Sequence, residues 1–195
     1  MMRTLLVGVL AVTLVSAGCT STISGTPYRS ASTLEMYGAP PVLKPLEVSG
    51  FLGNPCKVLT QPQMAELTIL EPGTPRTTGP IWENDPGCQW FREDIPSRSV
   101  VGMGFLPSNK HGLSDTYRGR DRFEYFIETT VDGYPAVFNE TSAEAPPEGD
   151  CTVTVGVSDT LTFRASENGG PKGGVVCERT KEFASAILAT LKAGA

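Results

Sequence analysis

The chain predicts an α+β fold: an antiparallel sheet of about six strands, an N-terminal helix, a C-terminal amphipathic helix and two disulfides. Three observations point there. Runs rich in β-branched and aromatic residues alternate with Gly, Pro and Asp turn residues, the mark of hairpin-linked strands. The C-terminal segment repeats apolar residues at helical spacing. Four cysteines lie in the body of the chain with no Cys-x-x-Cys pair, which suits structural staples better than zinc or redox chemistry.

The elements follow in chain order. Asn54-Pro55-Cys56-Lys57-Val58-Leu59 reads as a short helical turn. Thr60-Gln61-Pro62-Gln63 then opens a helix, with Thr60 as N-cap and Gln63 completing a capping box. Met64, Leu67 and Ile69 are expected to face the core. Glu71 to Gly87, rich in Pro and Gly, reads as irregular. Cys88 to Phe91 and Ser99 to Phe105 are strands, and His111 to Arg118 is a short helix. Phe123 to Val131 and Tyr134 to Phe138 flank Asp132-Gly133, a type I′ hairpin signal, because that turn needs positive φ at both central residues. Pro135 places the second of these strands at an edge or beside a bulge. Cys151 to Val157 and Thr160 to Ala165 form another hairpin, with Cys151, Val153, Val155 and Val157 on one face. In the closing helix Phe183, Ala184, Ile187, Leu188 and Leu191 form the apolar stripe, and Glu178, Arg179, Glu182 and Lys192 point to water. Hairpin-linked strands with helices set aside favour an antiparallel sheet.

Ahead of this domain, assigned to residues 51–195, lie two other segments. Residues 1–18 start with Arg3, continue as an uncharged apolar run from Leu5 to Val15 and end in small residues, the pattern of a signal peptide. The run is too short to span a bilayer, which takes about 20 apolar residues. Two cleavage readings are open: an ordinary site at Val15-Ser16-Ala17, or a bacterial lipobox at Ala17-Gly18-Cys19, with Ser16 in place of the usual aliphatic residue. Cysteine parity favours the second. Lipid on Cys19 leaves four of the five cysteines to pair, whereas a free Cys19 leaves an odd thiol in an oxidising compartment. Residues 19–50, with nine Ser or Thr and four Pro from Thr20 onward, read as a flexible tether. The membrane partner is then reached through the lipid on Cys19, at the outer face of the cell membrane.

Four cysteines allow three pairings. The economical one is Cys56 with Cys88 and Cys151 with Cys177, since each joins a helix start to a strand start and neither crosses the other.

The ordered motifs are Ala17-Gly18-Cys19, Ser24-Gly25-Thr26-Pro27, Asn54-Pro55-Cys56-Lys57-Val58-Leu59-Thr60, Cys88-Gln89-Trp90, Val131-Asp132-Gly133-Tyr134-Pro135-Ala136, Cys151-Thr152-Val153 and Cys177 at the last helix. Together they resemble the actinobacterial lipoproteins of domain of unknown function family 3558, over signal, linker and domain. Asn54 stands where the family often has Asp, and Val176 where it often has Pro. The resemblance implies a cell-envelope lipoprotein and no particular reaction.

Chemistry-bearing patterns are sparse. At 39% hydrophobic the chain is too apolar for disorder, and its net charge of -5 argues against nucleic acid, whose binders neutralise phosphates with Lys and Arg. The one histidine, His111, sits in a polar loop away from any Gly-x-Ser-x-Gly elbow. Glu83-Asn84-Asp85 and Glu93-Asp94 lack calcium-loop spacing. Gly169-Gly170-Pro171-Lys172-Gly173-Gly174 lacks the Gly-Lys-Ser/Thr of a phosphate loop. No catalytic residue, metal ligand or cofactor is therefore assigned. The candidate binding surface is aromatic: Trp90, Phe123, Tyr125, Phe126 and Tyr134, some of which must point away from whichever face the helices cover. Two-sided packing beside the disulfide is the plain alternative. The expected function is a non-catalytic binding or interaction module of the envelope, with a protein or lipid partner. A carrier of a lipid or small hydrophobic ligand is the alternative, and an envelope-polymer hydrolase stands behind both.

Overall fold

A computed structural model describes residues 36–76, 85–93, 98–143 and 145–194. The leader, Cys19, the first part of the tether and Glu83-Asn84 lie outside the described residues.

The strands are β1 (Thr74–Arg76), β2 (Gly87–Glu93), β3 (Arg98–Phe105), β4 (Tyr125–Val131), β5 (Tyr134–Glu140), β6 (Cys151–Ser158) and β7 (Leu161–Asn168). They form one sheet in the order β1-β2-β3-β7-β6-β5-β4, antiparallel at every neighbour. The helices are α1 (Ser49–Leu52), α2 (Gln61–Glu66), α3 (Leu113–Arg118), α4 (Ala145–Glu148) and α5 (Val175–Ala193), with 3-10 turns at Pro55–Val58 and Arg120–Arg122. The α+β antiparallel architecture is as expected, with one strand more. β1 lies in the segment read as irregular, where Pro75 is tolerated because the strand is at an edge.

The Asp132-Gly133 turn has φ of 48° and 84°, as a type I′ hairpin requires. Pro135 does not put β5 at an edge, since β4 takes that place. Pro135 is accommodated because the β5–β6 ladder begins one residue later, at Ala136.

Strand alternation sends Trp90, Val101, Met103, Phe163, Ala165, Val153 and Val155 to one face, where α5 lies across them. Phe183, Ile187, Leu188 and Leu191 of α5 are fully buried there. Burial of each such side chain contributes about 1.5–3 kcal/mol. The Thr60 N–H donates to Gln63 Oε1 at 2.8 Å, and Gln63 in turn donates through Nε2 to the Ala186 carbonyl at 2.7 Å, so the start of α2 also locks onto α5. Disulfides join Cys56 to Cys88 and Cys151 to Cys177.

Two expectations are corrected here. Part of the segment read as tether, residues 39–48, belongs to the domain, because Ala39, Val42 and Val48 are buried on it. The Leu46 N–H bonds to the Val157 carbonyl and the Val42 N–H to Asp159 Oδ1. Gly156 makes room for this strap: a Cβ there would come within 3.2 Å of Val42. The second correction is Arg179, which turns inward. Its Nη2 donates to Glu167 Oε1 at 2.7 Å, and Glu167 is completely buried. Arg92 Nη1 donates to the other carboxylate oxygen at 2.9 Å, Ser99 Oγ adds a bond of 2.7 Å, and Arg92 Nε bonds the Leu67 carbonyl. A buried carboxylate needs this much compensation. Through it α2, β2, β3, β7 and α5 share one polar knot.

Candidate functional site

The sheet face opposite α5 carries the second apolar cluster. Here α3 and the strap lay Leu113, Tyr117 and Ala39 over Val137 of β5, with Met36 and Phe126 against them. The Tyr117 and Phe126 rings meet edge to face at 5.2 Å, Phe123 lies 6.0 Å from Phe126, and the Arg120 guanidinium sits 4.8 Å over the Phe126 ring.

This divides the expected aromatic surface. Trp90 is 1% exposed and packs edge to face on Phe183 at 5.8 Å, so it belongs to the core and not to a binding surface. Tyr134, 7% exposed, is also core, with the Lys192 ammonium 5.0 Å from its ring centre. The reason is parity: both residues project to the face that α5 covers. Tyr125, on the same face but on the edge strand, is only half-buried. Phe123 and Phe126 are half-buried on the opposite side. The structure therefore brings Phe123 and Phe126 together, leaves Tyr125 across the sheet and takes Trp90 and Tyr134 out of the site.

Beside Phe123 is an open-sided cavity of about 300 Å³, between α3, the turn that follows it and the sheet, with Leu106 and Phe123 among its walls. Its walls include Asn109, Thr116, Arg122, Asn139, Thr141 and Arg164. Arg164 reaches it because β7 pairs with β6, where Thr154 stands opposite Arg164 on this face and in turn donates to Asn139 Oδ1 at 2.7 Å. Asp115 lies at the rim, already satisfied. Its Oδ2 accepts the His111 N–H at 3.0 Å, and its Oδ1 accepts Arg118 Nη2 at 2.7 Å and lies 3.2 Å from His111 Nδ1. Burial works to raise the Asp115 carboxyl, but the His111 hydrogen bonds and the Arg118 charge outweigh it and hold it below the usual carboxylate range. Nearby, burial pushes the Glu140 carboxyl up, against a Thr152 hydrogen bond and the Arg164 charge.

Sequence reasoning missed Arg122, Arg164 and Asn139. Arg164 and Asn139 hold outward strand positions, which are ordinarily solvated, Arg122 is an exposed residue of a 3-10 turn, and nothing in the pattern says that α3 will roof this part of the sheet. Among the described residues no group of three or more His, Cys, Asp or Glu side chains is placed to hold a metal ion.

Fold and site together define a disulfide-clipped α+β domain with one sheet face covered by a long helix and, on the other, a cavity bordered by two arginines. The chain belongs to the family described as "Protein of unknown function (DUF3558)", whose model matches residues 14–190. No curated protein and no solved structure matches it.

Proposed function

We propose that this chain is a lipid-anchored module of the cell envelope, in an actinobacterial setting, that binds a partner and catalyses no reaction. The observation that carries the reading is cysteine pairing. Of five cysteines, four close two disulfides, and the fifth is Cys19 in the lipobox-like Ala17-Gly18-Cys19. Disulfides suit an oxidising, extracytoplasmic compartment. One acyl chain holds weakly, whereas a diacylated cysteine anchors stably. The cavities lined by described residues are open-sided and bordered by charged groups, which favours a surface-binding module over the alternative, a carrier that encloses a hydrophobic ligand.

The test is palmitate labelling and detergent-phase partitioning of the full chain expressed in an actinobacterium. Label and partitioning are expected in the parent and absent from Cys19→Ala. Unlabelled parent protein in the medium would overturn the anchor. Cross-linking in intact cells tests the binding role, and failure to recover any cross-linked partner counts against it.

A further inference from the structure

The cavity beside α3 contains donors in excess of acceptors. The Arg164 Nε is buried with no hydrogen-bond partner. Arg122 lines the same cavity from the exposed 3-10 turn, and its guanidinium makes no hydrogen bond or ion pair with the described residues. Asn139 is 3% exposed, and because its Oδ1 is taken by Thr154, its amide NH2 is the group left to face the space. An unmet buried donor such as the Arg164 Nε is unfavourable, so stability does not account for it, and the exposed Arg122 adds a second guanidinium free to turn toward the same space. Asn109, Thr116 and Thr141 add neutral polar groups to the same walls. Of the nearby acids, Asp115 on the rim is neutralised by Arg118 and engaged by His111, while Glu140, outside the lining, feels the Arg164 charge without a hydrogen bond to it. Net charge does not explain the arrangement either, since the chain as a whole carries -5.

We propose that this cavity binds a small oxyanion, gripped by the Arg122 and Arg164 guanidiniums with Asn139 as a neutral donor. Guanidinium forks match the paired oxygens of phosphate and carboxylate groups, and bind them by charge-assisted hydrogen bonds. The volume of about 300 Å³ suits a phosphate or carboxylate group with a small organic remainder against Phe123. The inference rests on the binding-module reading, to which it adds a ligand class. The same chemistry can arrive as a soluble anion or as a lipid headgroup.

The test uses the full chain with Cys19→Ser, which has no thiol for acylation, in a neutral detergent. Inorganic phosphate, glycerol 3-phosphate and acetate are titrated calorimetrically at fixed ionic strength. Vesicles of phosphatidylcholine alone, and of equal parts phosphatidylcholine and phosphatidylglycerol, are used in flotation. Saturable binding is expected, weakened roughly ten- to hundredfold by Arg164→Met or Arg122→Met. Lys57→Met, which removes one positive charge at an exposed position outside the cavity, is expected to bind as the parent does. Arg164→Lys keeps the charge without the fork and is expected to bind weakly; near-UV circular dichroism checks that each variant is folded. Arginine-dependent binding of soluble anions identifies a soluble ligand, and arginine-dependent binding of the acidic vesicles alone identifies a headgroup. Absence of saturable binding in every arm, or binding indifferent to both arginines, overturns the site. If partners are recovered by cross-linking while no anion binds, the module stands and the site falls; if a bound phosphate ester is hydrolysed, the site stands and the non-catalytic reading falls.

Discussion

Glu167→Gln is the sharpest perturbation of the fold. It preserves the shape of a side chain that is completely buried, while removing the charge that Arg92, Arg179 and Ser99 converge upon at 2.7–2.9 Å. Arg92 is itself only 5% exposed, and its Nε donates to a neutral acceptor, the Leu67 carbonyl. Its buried charge would therefore lose the carboxylate that faces it at 2.9 Å. Breaking a buried pair in this way costs about 3–5 kcal/mol, a large share of a total stability of about 5–15 kcal/mol. For a domain of this size the melting temperature is expected to fall by roughly 6–20 °C.

The assay is urea unfolding of the oxidised protein, followed by tryptophan fluorescence and by far-UV circular dichroism. A loss under about 1 kcal/mol would refute the reasoning, since it would mean that the buried guanidinium needs no carboxylate. Two comparisons sharpen it. Glu148→Gln removes the exposed pair with Lys172 and is expected to change stability little. Replacing Arg92, Glu167 and Arg179 together by apolar residues of similar size is expected to recover much of the loss, because the desolvation penalty leaves with the charges.

Three further outcomes are expected. Replacing Cys151 and Cys177 by Ser is expected to cost about 3–4 kcal/mol for a sequence separation of 26, and replacing Cys56 and Cys88 about the same for 32, read from non-reducing urea titrations. Asp115 titrates lower in the folded chain than unfolded, so its contribution to stability is complete above the unfolded value of about 3.9 and is lost as pH falls through the folded one. Urea titrations of Asp115→Asn and parent are therefore expected to differ at neutral pH and converge in acid; a constant difference over the whole range would exclude this linkage. Gly87→Ala is expected to destabilise by about 1–3 kcal/mol, because a Cβ there falls 2.5 Å from the Met103 carbonyl oxygen. Gly102→Ala is expected to be tolerated, as its nearest neighbour is Ser166 Oγ at 3.6 Å, and equal melting temperatures for the two variants would count against that contrast.

Much of the architecture is local and therefore legible. Asp132-Gly133 specifies its own turn, alternation in Cys151 to Val157 specifies a buried face, and the stripe from Phe183 to Leu191 specifies the side of α5 that packs. What escaped is long-range. Thr74–Arg76 has no strand pattern and is ordered by pairing with β2. The strap from Ala39 to Val48 reads as a spacer until Gly156 and Asp159, more than a hundred residues away, give it a seat. Arg179 sits on the polar side of a helical wheel, yet Glu167 draws it in. The site fared likewise: an aromatic cluster was visible, but whether Trp90 or Phe126 faced outward depended on which sheet face α5 chose.

That choice also accounts for where the cavity falls. Seven strands make a sheet about 29 Å wide at roughly 4.8 Å spacing. The 19-residue α5, about 28 Å long, covers one face by packing chiefly on β6 and β7 and reaching β4. On the other face α3 has six residues, about 9 Å, and the strap adds only the apolar anchors Ala39 and Val42. Cover therefore ends near the β6–β7 pair, where Arg164 is half-buried under the last turn of the roof. An outward-facing arginine at that boundary loses solvent while its Nε gains no hydrogen-bond acceptor, Glu140 acting on it through charge alone, and a bound oxyanion relieves that condition.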